Sequence, residues 1–188
     1  MKTIGVLALQ GSVVEHINSL QKIEGILPME VKSRKDIDKI DSIIMPGGES
    51  TTIGKLLRDF ELLEPLSDRI NKGMPVWGTC AGMILLAGKI IGEDHVHLGL
   101  MDIEVRRNAY GGQLDSFSCH ACIDKVSKAP VNLIFIRAPW IERVNGNVEV
   151  LAEYEGKIIA ARQGNMLVTS FHPELTEDLS FHKYFSEF

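Results

Sequence analysis

Cys80 stands in Gly78-Thr79-Cys80-Ala81-Gly82, between a short apolar run and an apolar helical stretch. That spacing is the G-x-nucleophile-x-G of a strand-to-helix elbow, with a thiol in place of a hydroxyl. A turn sharp enough to lift a nucleophile above a sheet leaves no room beside it, and glycine supplies the room. The N–H groups that open the following helix point at the sulfur and favour its thiolate form. The competing reading is a structural cysteine in a tight turn. A thiol nucleophile needs a base, and the base needs an orienting carboxylate. Ser170-Phe171-His172-Pro173-Glu174 offers both. In an extended segment His172 and Glu174 would leave the same face, with Pro173 fixing φ between them. Alone, the same residues would read as a surface turn.

Met45-Pro46-Gly47-Gly48-Glu49-Ser50-Thr51-Thr52 ends an apolar run and opens a helical pattern. Glycine-rich turns at helix N-termini bind anions, yet both G-x-x-x-x-G-K-[ST] and G-x-G-x-x-G are absent. The stretch therefore suits an oxyanion hole, with an N–H of Gly47 or Gly48 and that of Ala81 as donors. Losing one such donor typically costs about 3 kcal/mol in the transition state. Ser50 or Thr51 as a helix N-cap is compatible with that role.

To hold these residues the chain needs strands that end where chemistry begins. Thr3–Leu9, Ser42–Met45 and Pro75–Trp77 read as short buried strands. Val13–Ile23 reads as a helix with Val13, Ile17 and Leu20 on one face. Thr51–Asn71 is helical in pattern with an interruption expected near Pro65, and Met83–Ala87 continues as an apolar helix. The alternation predicts a largely parallel sheet with helices on both faces. The second half differs. Leu100–Val105, Phe117–Ile123, Leu133–Ile136, Val148–Tyr154, Lys157–Arg162 and Met166–Phe171 read as an antiparallel meander, with turns at Glu155-Gly156 and Gly164-Asn165. A short helix near Leu179–Phe185 follows. The expectation is one mixed-sheet α/β domain over residues 1–188.

Composition sets the outer bounds. The 188 residues carry 20 Lys+Arg against 25 Asp+Glu, a net charge of −5. With 45% hydrophobic residues this is not a disordered chain, and its scattered basic residues do not make a nucleic-acid-binding stripe. No apolar run approaches the roughly 18 residues of a membrane span. The apolar start runs into Gln10-Gly11 without a cleavage pattern, so a first strand is favoured over a signal peptide. Three cysteines imply no disulfide framework, and a cytoplasmic location is the expectation.

Seven segments in order carry a family resemblance. They are Gly5–Gly11, Pro46–Thr52, Gly78–Gly82, Arg107–Gly111, Asp115–Phe117, Phe135–Pro139 and Ser170–Leu175. They resemble the class I (triad-type) glutamine amidotransferases, and within them most closely the vitamin B6 branch. The elbow and His-x-Glu are shared by the whole class. Gly-Gly-Glu-Ser-Thr-Thr, Arg-Asn and Phe-Ile-Arg-Ala-Pro mark the branch. The resemblance implies a flavodoxin-like α/β fold and a glutaminase using Cys80 as nucleophile, His172 as acid–base and Glu174 as its orienter. A γ-glutamyl thioester on Cys80 would be the intermediate. It implies an oxyanion hole at Gly48 and Ala81, and glutamine held by Gly47, Gly48, Glu49, Arg107, Ile136 and Arg137. An arginine fork suits the α-carboxylate of glutamine; read without the resemblance, either arginine could equally be a surface ion-pair partner. The implied partner is the (β/α)8-barrel subunit of pyridoxal 5′-phosphate synthase, which receives the ammonia and wakes the glutaminase on docking. Gln10 would lie near the oxyanion hole and that interface. No cofactor or metal is implied. The chain departs from the branch pattern at Gly112, where Arg is usual, and at Ser118, where Glu is usual.

Two other readings share the elbow: a cysteine peptidase or γ-glutamyl hydrolase, and a catalytically dead regulatory module. Arg107-Asn108 and Phe135–Pro139 argue against the first, and the intact Cys80, His172 and Glu174 against the second. Cys119-His120-Ala121-Cys122 has C-x-x-C spacing but no second ligand pair and sits in an expected strand. His95 and His97 are expected in a solvated loop, and His16 on an amphipathic helix.

Overall fold

The computed structural model describes residues 1–107 and 116–188. Its centre is a sheet whose left half is parallel. β1 (Lys2–Leu7), β2 (Ile26–Val31), β3 (Ser42–Met45), β4 (Val76–Thr79) and β12 (Met166–Thr169) lie side by side in the order β2-β1-β3-β4-β12. This is the flavodoxin-like order, in which the strand sequence reverses direction between β1 and β3 and ligands collect beyond the strands' carboxyl ends. The sheet continues through β11 (Lys157–Gln163), β9 (Trp140–Val144), β6 (Met101–Arg106) and β5 (Ala87–Ile90), with β10 (Glu149–Tyr154) hairpinned to β11. In this right half β11, β9 and β6 pair antiparallel. β12 joins the halves: it is antiparallel to β11 and parallel to β4.

The strands read as continuous apolar runs because both faces are covered. Successive side chains take opposite faces, so Ile43 and Met45 face one core while Ile44 faces the other. The first core is closed by α2 (Arg34–Ile37), α3 (Ser50–Asp59), α4 (Leu63–Asn71) and α5 (Ala81–Leu86), through Ile53, Leu57, Leu66 and Ile70 among others. The second is closed by α1 (Val13–Gln21) and α6 (Ser180–Ser186), through Leu20, Phe181 and Phe185. A separate antiparallel pair, β7 (Ser116–Ala121) and β8 (Val131–Ile136), packs on this second face. Phe135 stacks on Phe117 at 4.6 Å and meets Phe171 edge-on at 5.8 Å.

Several expectations shift. The helical stretch breaks at Phe60–Leu62, where Glu61 takes φ 55°, rather than at Pro65. Pro65 falls in the first turn of α4, where a missing N–H breaks no helical bond. β2 was hidden by Pro28, which a strand tolerates at the sheet's edge, and β2 is the edge strand. The short β5 and β9 escaped the sequence pattern as well.

Candidate active site

Four strands of the parallel half end at one edge and carry most of the site, while β6 and β8 lead into Arg107, Ile136 and Arg137. β1 delivers Gln10, β3 delivers Gly47–Glu49, β4 delivers Cys80 and β12 delivers Ser170–Glu174. They surround a cleft of about 640 Å³. Its walls include Cys80, Ala81, His172, Gly47, Gly48, Glu49, Arg107, Ile136, Arg137 and Gln10. Glu174 stands behind His172, buried.

Cys80 has φ 48° and ψ −99°, a left-handed conformation that costs a non-glycine residue about 1–2 kcal/mol. The turn is held from both sides. The Cys80 N–H donates to Thr169 O of β12 at 2.8 Å. A Cβ on Gly78 would lie 2.4 Å from the Gly82 carbonyl carbon, and one on Gly82 would lie 2.1 Å from Met45 O. Both glycines are therefore required by backbone contact. Ala81 is the first residue of α5, so its N–H has no partner inside the helix. The thiol is only 7% exposed, with Sγ 4.0 Å from Ile136 O.

His172 is anchored by its own N–H to Ile134 O of β8 at 2.8 Å. Its Nδ1 donates to Glu174 Oε1 at 2.7 Å. The segment is not extended as expected. A 3-10 turn, Pro173–Leu175, begins immediately after His172 and folds the carboxylate back to the ring. Burial disfavours the charged imidazolium, but hydrogen bonds with Cys80 and Glu174 outweigh it and raise the His172 pKa to about 10. Burial also opposes ionisation of Glu174. The imidazoles of His16 and His172 more than offset it and hold the carboxyl at about 2.

The glycine loop sits against both catalytic candidates. A Cβ on Gly47 would lie 2.3 Å from His172 Cε1, and one on Gly48 would lie 2.4 Å from Gln10 Oε1. Gly47 O accepts from the Ser12 N–H at 3.0 Å, across a turn in which Gly11 takes φ 106°. A trans peptide sets its C=O and N–H in opposite directions, so the Gly48 N–H points away from the β1 loop. Gln10 Oε1 accepts from the Glu49 N–H at 2.8 Å.

Glu49, rather than Ser50 or Thr51, caps α3, accepting from the N–H groups of Thr51 at 3.0 Å and Thr52 at 2.7 Å. Partial burial works against its charge, but these bonds and the Thr52 hydroxyl hold its pKa at about 2. Arg107 bridges Glu49 at 3.1 Å and Glu93 at 2.7 Å, and also donates to Thr51 Oγ1 at 3.2 Å. It thus lines the cleft and is ion-paired at once. Arg137 enters the cleft from the end of β8 with φ 44°.

Some residues were not visible from the sequence, and others lie elsewhere than expected. His16 is fully buried behind Glu174, and His97 is buried against Gly54 rather than solvated, whereas His95 is exposed. His16 falls three residues after Val13 and four before Leu20, so the helical periodicity did place it on the inward face. His182 and Glu93 gave no signal. Cys119 and Cys122 are free thiols at the end of β7. Asn108, Tyr110, Gly112 and Asp115 lie outside the described residues. No helix among the described residues is long and apolar enough to cross a membrane.

A mostly parallel sheet in this strand order, with a cysteine elbow at its carboxyl edge, is the class I glutamine amidotransferase fold. The chain belongs to the SNO glutamine amidotransferase family, whose model matches residues 6–188. Among named relatives it is 57% identical to pyridoxal 5′-phosphate synthase subunit PdxT of Ruminiclostridium cellulolyticum, covering 100% of this chain and 99% of that one. It is 55% identical to the subunit of the same name from Clostridium botulinum, covering 98% and 96%. A solved glutamine amidotransferase superimposes with TM-score 0.92 at 41% identity, covering 98% of this chain and 97% of that one. PurLQS from Thermotoga maritima, at TM-score 0.69 and 15% identity over 99% and 98%, shares the fold.

Proposed function

We propose that this chain hydrolyses L-glutamine to L-glutamate and ammonia, and passes the ammonia to a pyridoxal 5′-phosphate synthase subunit for vitamin B6 synthesis. The observation that carries the reading is one cleft wall shared by Cys80, at a positive-φ elbow, and His172, whose Nδ1 lies 2.7 Å from Glu174 Oε1. Cys80 Sγ attacks the side-chain carboxamide carbon of glutamine. The negative charge moves to the carboxamide oxygen, where the Ala81 and Gly48 N–H groups receive it. The C–N bond breaks as His172 gives its Nε2 proton to the departing nitrogen, which leaves as ammonia. The γ-glutamyl thioester is then opened by water, from which His172 takes a proton. Glutamate leaves and the thiolate is restored.

Glu174 keeps Nδ1 of His172 protonated, which leaves Nε2 for the sulfur and the leaving group. Arg107 and Arg137 offer guanidinium groups to the glutamine carboxylate, while Glu49 and the Ile136 carbonyl region accept from its ammonium. Gln10, already bound to the Glu49 N–H, sits where a docked partner can reach the glycine loop. The partner is a (β/α)8 barrel in the family resemblance, and the names of the relatives at 57% and 55% identity support its being the synthase subunit.

Glutamate release is measured from this chain alone and with the synthase subunit added. The reading expects hydrolysis that rises sharply with the partner and disappears in Cys80→Ala. No release in either condition removes the glutaminase reading.

A further inference from the structure

Behind the His172–Glu174 pair lies a buried polar chain that the proposed chemistry does not use. Glu174 Oε2, the oxygen that His172 leaves free, is buried without a hydrogen bond. His16 Nε2 of α1 lies 3.5 Å from it and 3.3 Å from Thr79 Oγ1, the residue before the nucleophile. On the other side of the same ring, His16 Nδ1 lies 2.9 Å from His182 Nε2 of α6. His16, His182 and Thr79 are fully buried, and the Trp77 indole meets both histidine rings edge-on at 5.6 and 5.0 Å.

Only one proton order suits this geometry. If His182 Nε2–H donates to His16 Nδ1, then His16 Nε2–H faces Glu174 Oε2 and Thr79. His182 Nδ1, which has no partner, is then a bare acceptor. The reverse order sets a lone pair of His16 against a carboxylate and leaves a buried N–H on His182 with no acceptor, each costly inside a protein. Burial favours the neutral form of both histidines, lowering the pKa of His16 and taking that of His182 to about 3. The charged or titratable groups facing His16 are Glu174, His172 and His182, with Glu15 on its own helix.

We propose that His16 is a positioning residue for the triad: its Nε2–H holds the free oxygen of Glu174, and His182 fixes the tautomer that makes this possible. The proposal rests on the glutaminase reading. His16 touches neither substrate nor sulfur. It keeps the Glu174 carboxylate turned toward His172, and by the same N–H it touches the strand end that carries Cys80. Partners of this kind, one step behind the reacting groups, are typically worth 10–100-fold when removed from comparable sites.

The test uses glutamine hydrolysis by the chain with its synthase partner present, comparing wild type, His16→Leu and His16→Gln, with Cys80→Ala as the zero. Glutamine can place an amide N–H near the position of Nε2. His16→Leu is expected to lower kcat about 30-fold, within that range, with KM changed less than about twofold. The acid limb of its pH profile moves up, because Glu174 binds a proton more readily without its donor. His16→Gln recovers most of kcat and the wild-type limb. Wild-type kcat and profile in both variants, or equal losses that track the folded fraction, would overturn the proposal. Nitrogen-15 spectra of the histidines give a second, independent readout on the wild-type chain. They are expected to show His16 protonated at Nε2 and bare at Nδ1, and the opposite tautomer overturns the proposal even if a variant fails to fold. A wild type that hydrolyses no glutamine sinks the glutaminase reading instead, and the spectra still decide the tautomer.

Discussion

Strands β1, β3 and β4 on one side, and β12 with the separate β7–β8 pair on the other, contribute different things to the cleft. From β1, β3 and β4 come backbone features: the Gly11–Ser12 turn, the Gly47–Gly48 loop and the strained elbow at Cys80. From β12 and the neighbouring β7–β8 pair come His172, Glu174 and Arg137, while Glu49 after β3 and Arg107 after β6 add further charge. Backbone features demand close approach and tolerate no added atoms. Side-chain features demand rigid neighbours, and Phe171, the residue before His172, is fully buried edge-on against Phe135. The site works only where the two meet, at β12 against β4.

Substitutions can break that division of labour in order of size. Cys80→Ala should abolish glutamate release, a fall of roughly 10⁴-fold or more by analogy with triad knockouts, with circular dichroism unchanged. Gly82→Ala should come next, because its Cβ would meet Met45 O at 2.1 Å and neither backbone can yield. A loss of about 3 kcal/mol would appear as a fall in Tm of roughly 6–12 °C. The matching change in the antiparallel half, Gly156→Ala, meets nothing within 4 Å and carries only the strain of φ 71°, about 1–2 kcal/mol. Equal losses at the two glycines would erase the contrast. Arg107→Ala should raise KM for glutamine roughly tenfold while leaving kcat within about threefold, as expected for lost charge-assisted binding.

Stability should also depend on pH. Glu174 has a folded pKa of about 2, below the 4.5 of a free carboxyl. Its contribution is complete above about pH 4.5 and is lost as pH falls toward 2. His182, held at about 3 against 6.5, adds an earlier loss that begins as pH falls below about 6.5, because the unfolded chain binds that proton first. His172, raised to about 10, stabilises fully below about 6.5 and loses its share as pH rises through 10. Denaturant melts of wild type and Glu174→Gln should therefore converge as pH drops from 5 to 2. A constant gap would show that the carboxylate is not held by its neighbours.

Much of this could be read before any coordinates, because the parallel half writes its constraints into residue type. Gly78 and Gly82 are glycine because backbone approaches them, and Ser42–Met45 is apolar throughout because both faces are covered. Contacts between distant or turning segments write less. The Pro173–Leu175 turn brings Glu174 to His172 by a route that residue spacing did not give. The pairings of Arg107 with Glu93 and of His16 with His182 span 14 and 166 positions, and such separations leave no local pattern. Ser50 or Thr51 looked like the cap of α3. The structure gives the capping to Glu49, since a carboxylate accepts two N–H groups where a hydroxyl oxygen accepts fewer.

The strand β12 also governs how the site comes apart. It is hydrogen-bonded on both edges. The Cys80 N–H ends on its Thr169 carbonyl, while the Ser170 N–H crosses to Ile159 of β11. The Cys80 amide is thus latched to β12, and the Ser170 amide at the end of β12 is latched to β11. In deuterated solvent these two amides should exchange together, in one slow opening event, while the Glu155-Gly156 turn exchanges fast. Exchange of the two amides in one event would mean that the thiol is bared only when the imidazole beside it is released as well.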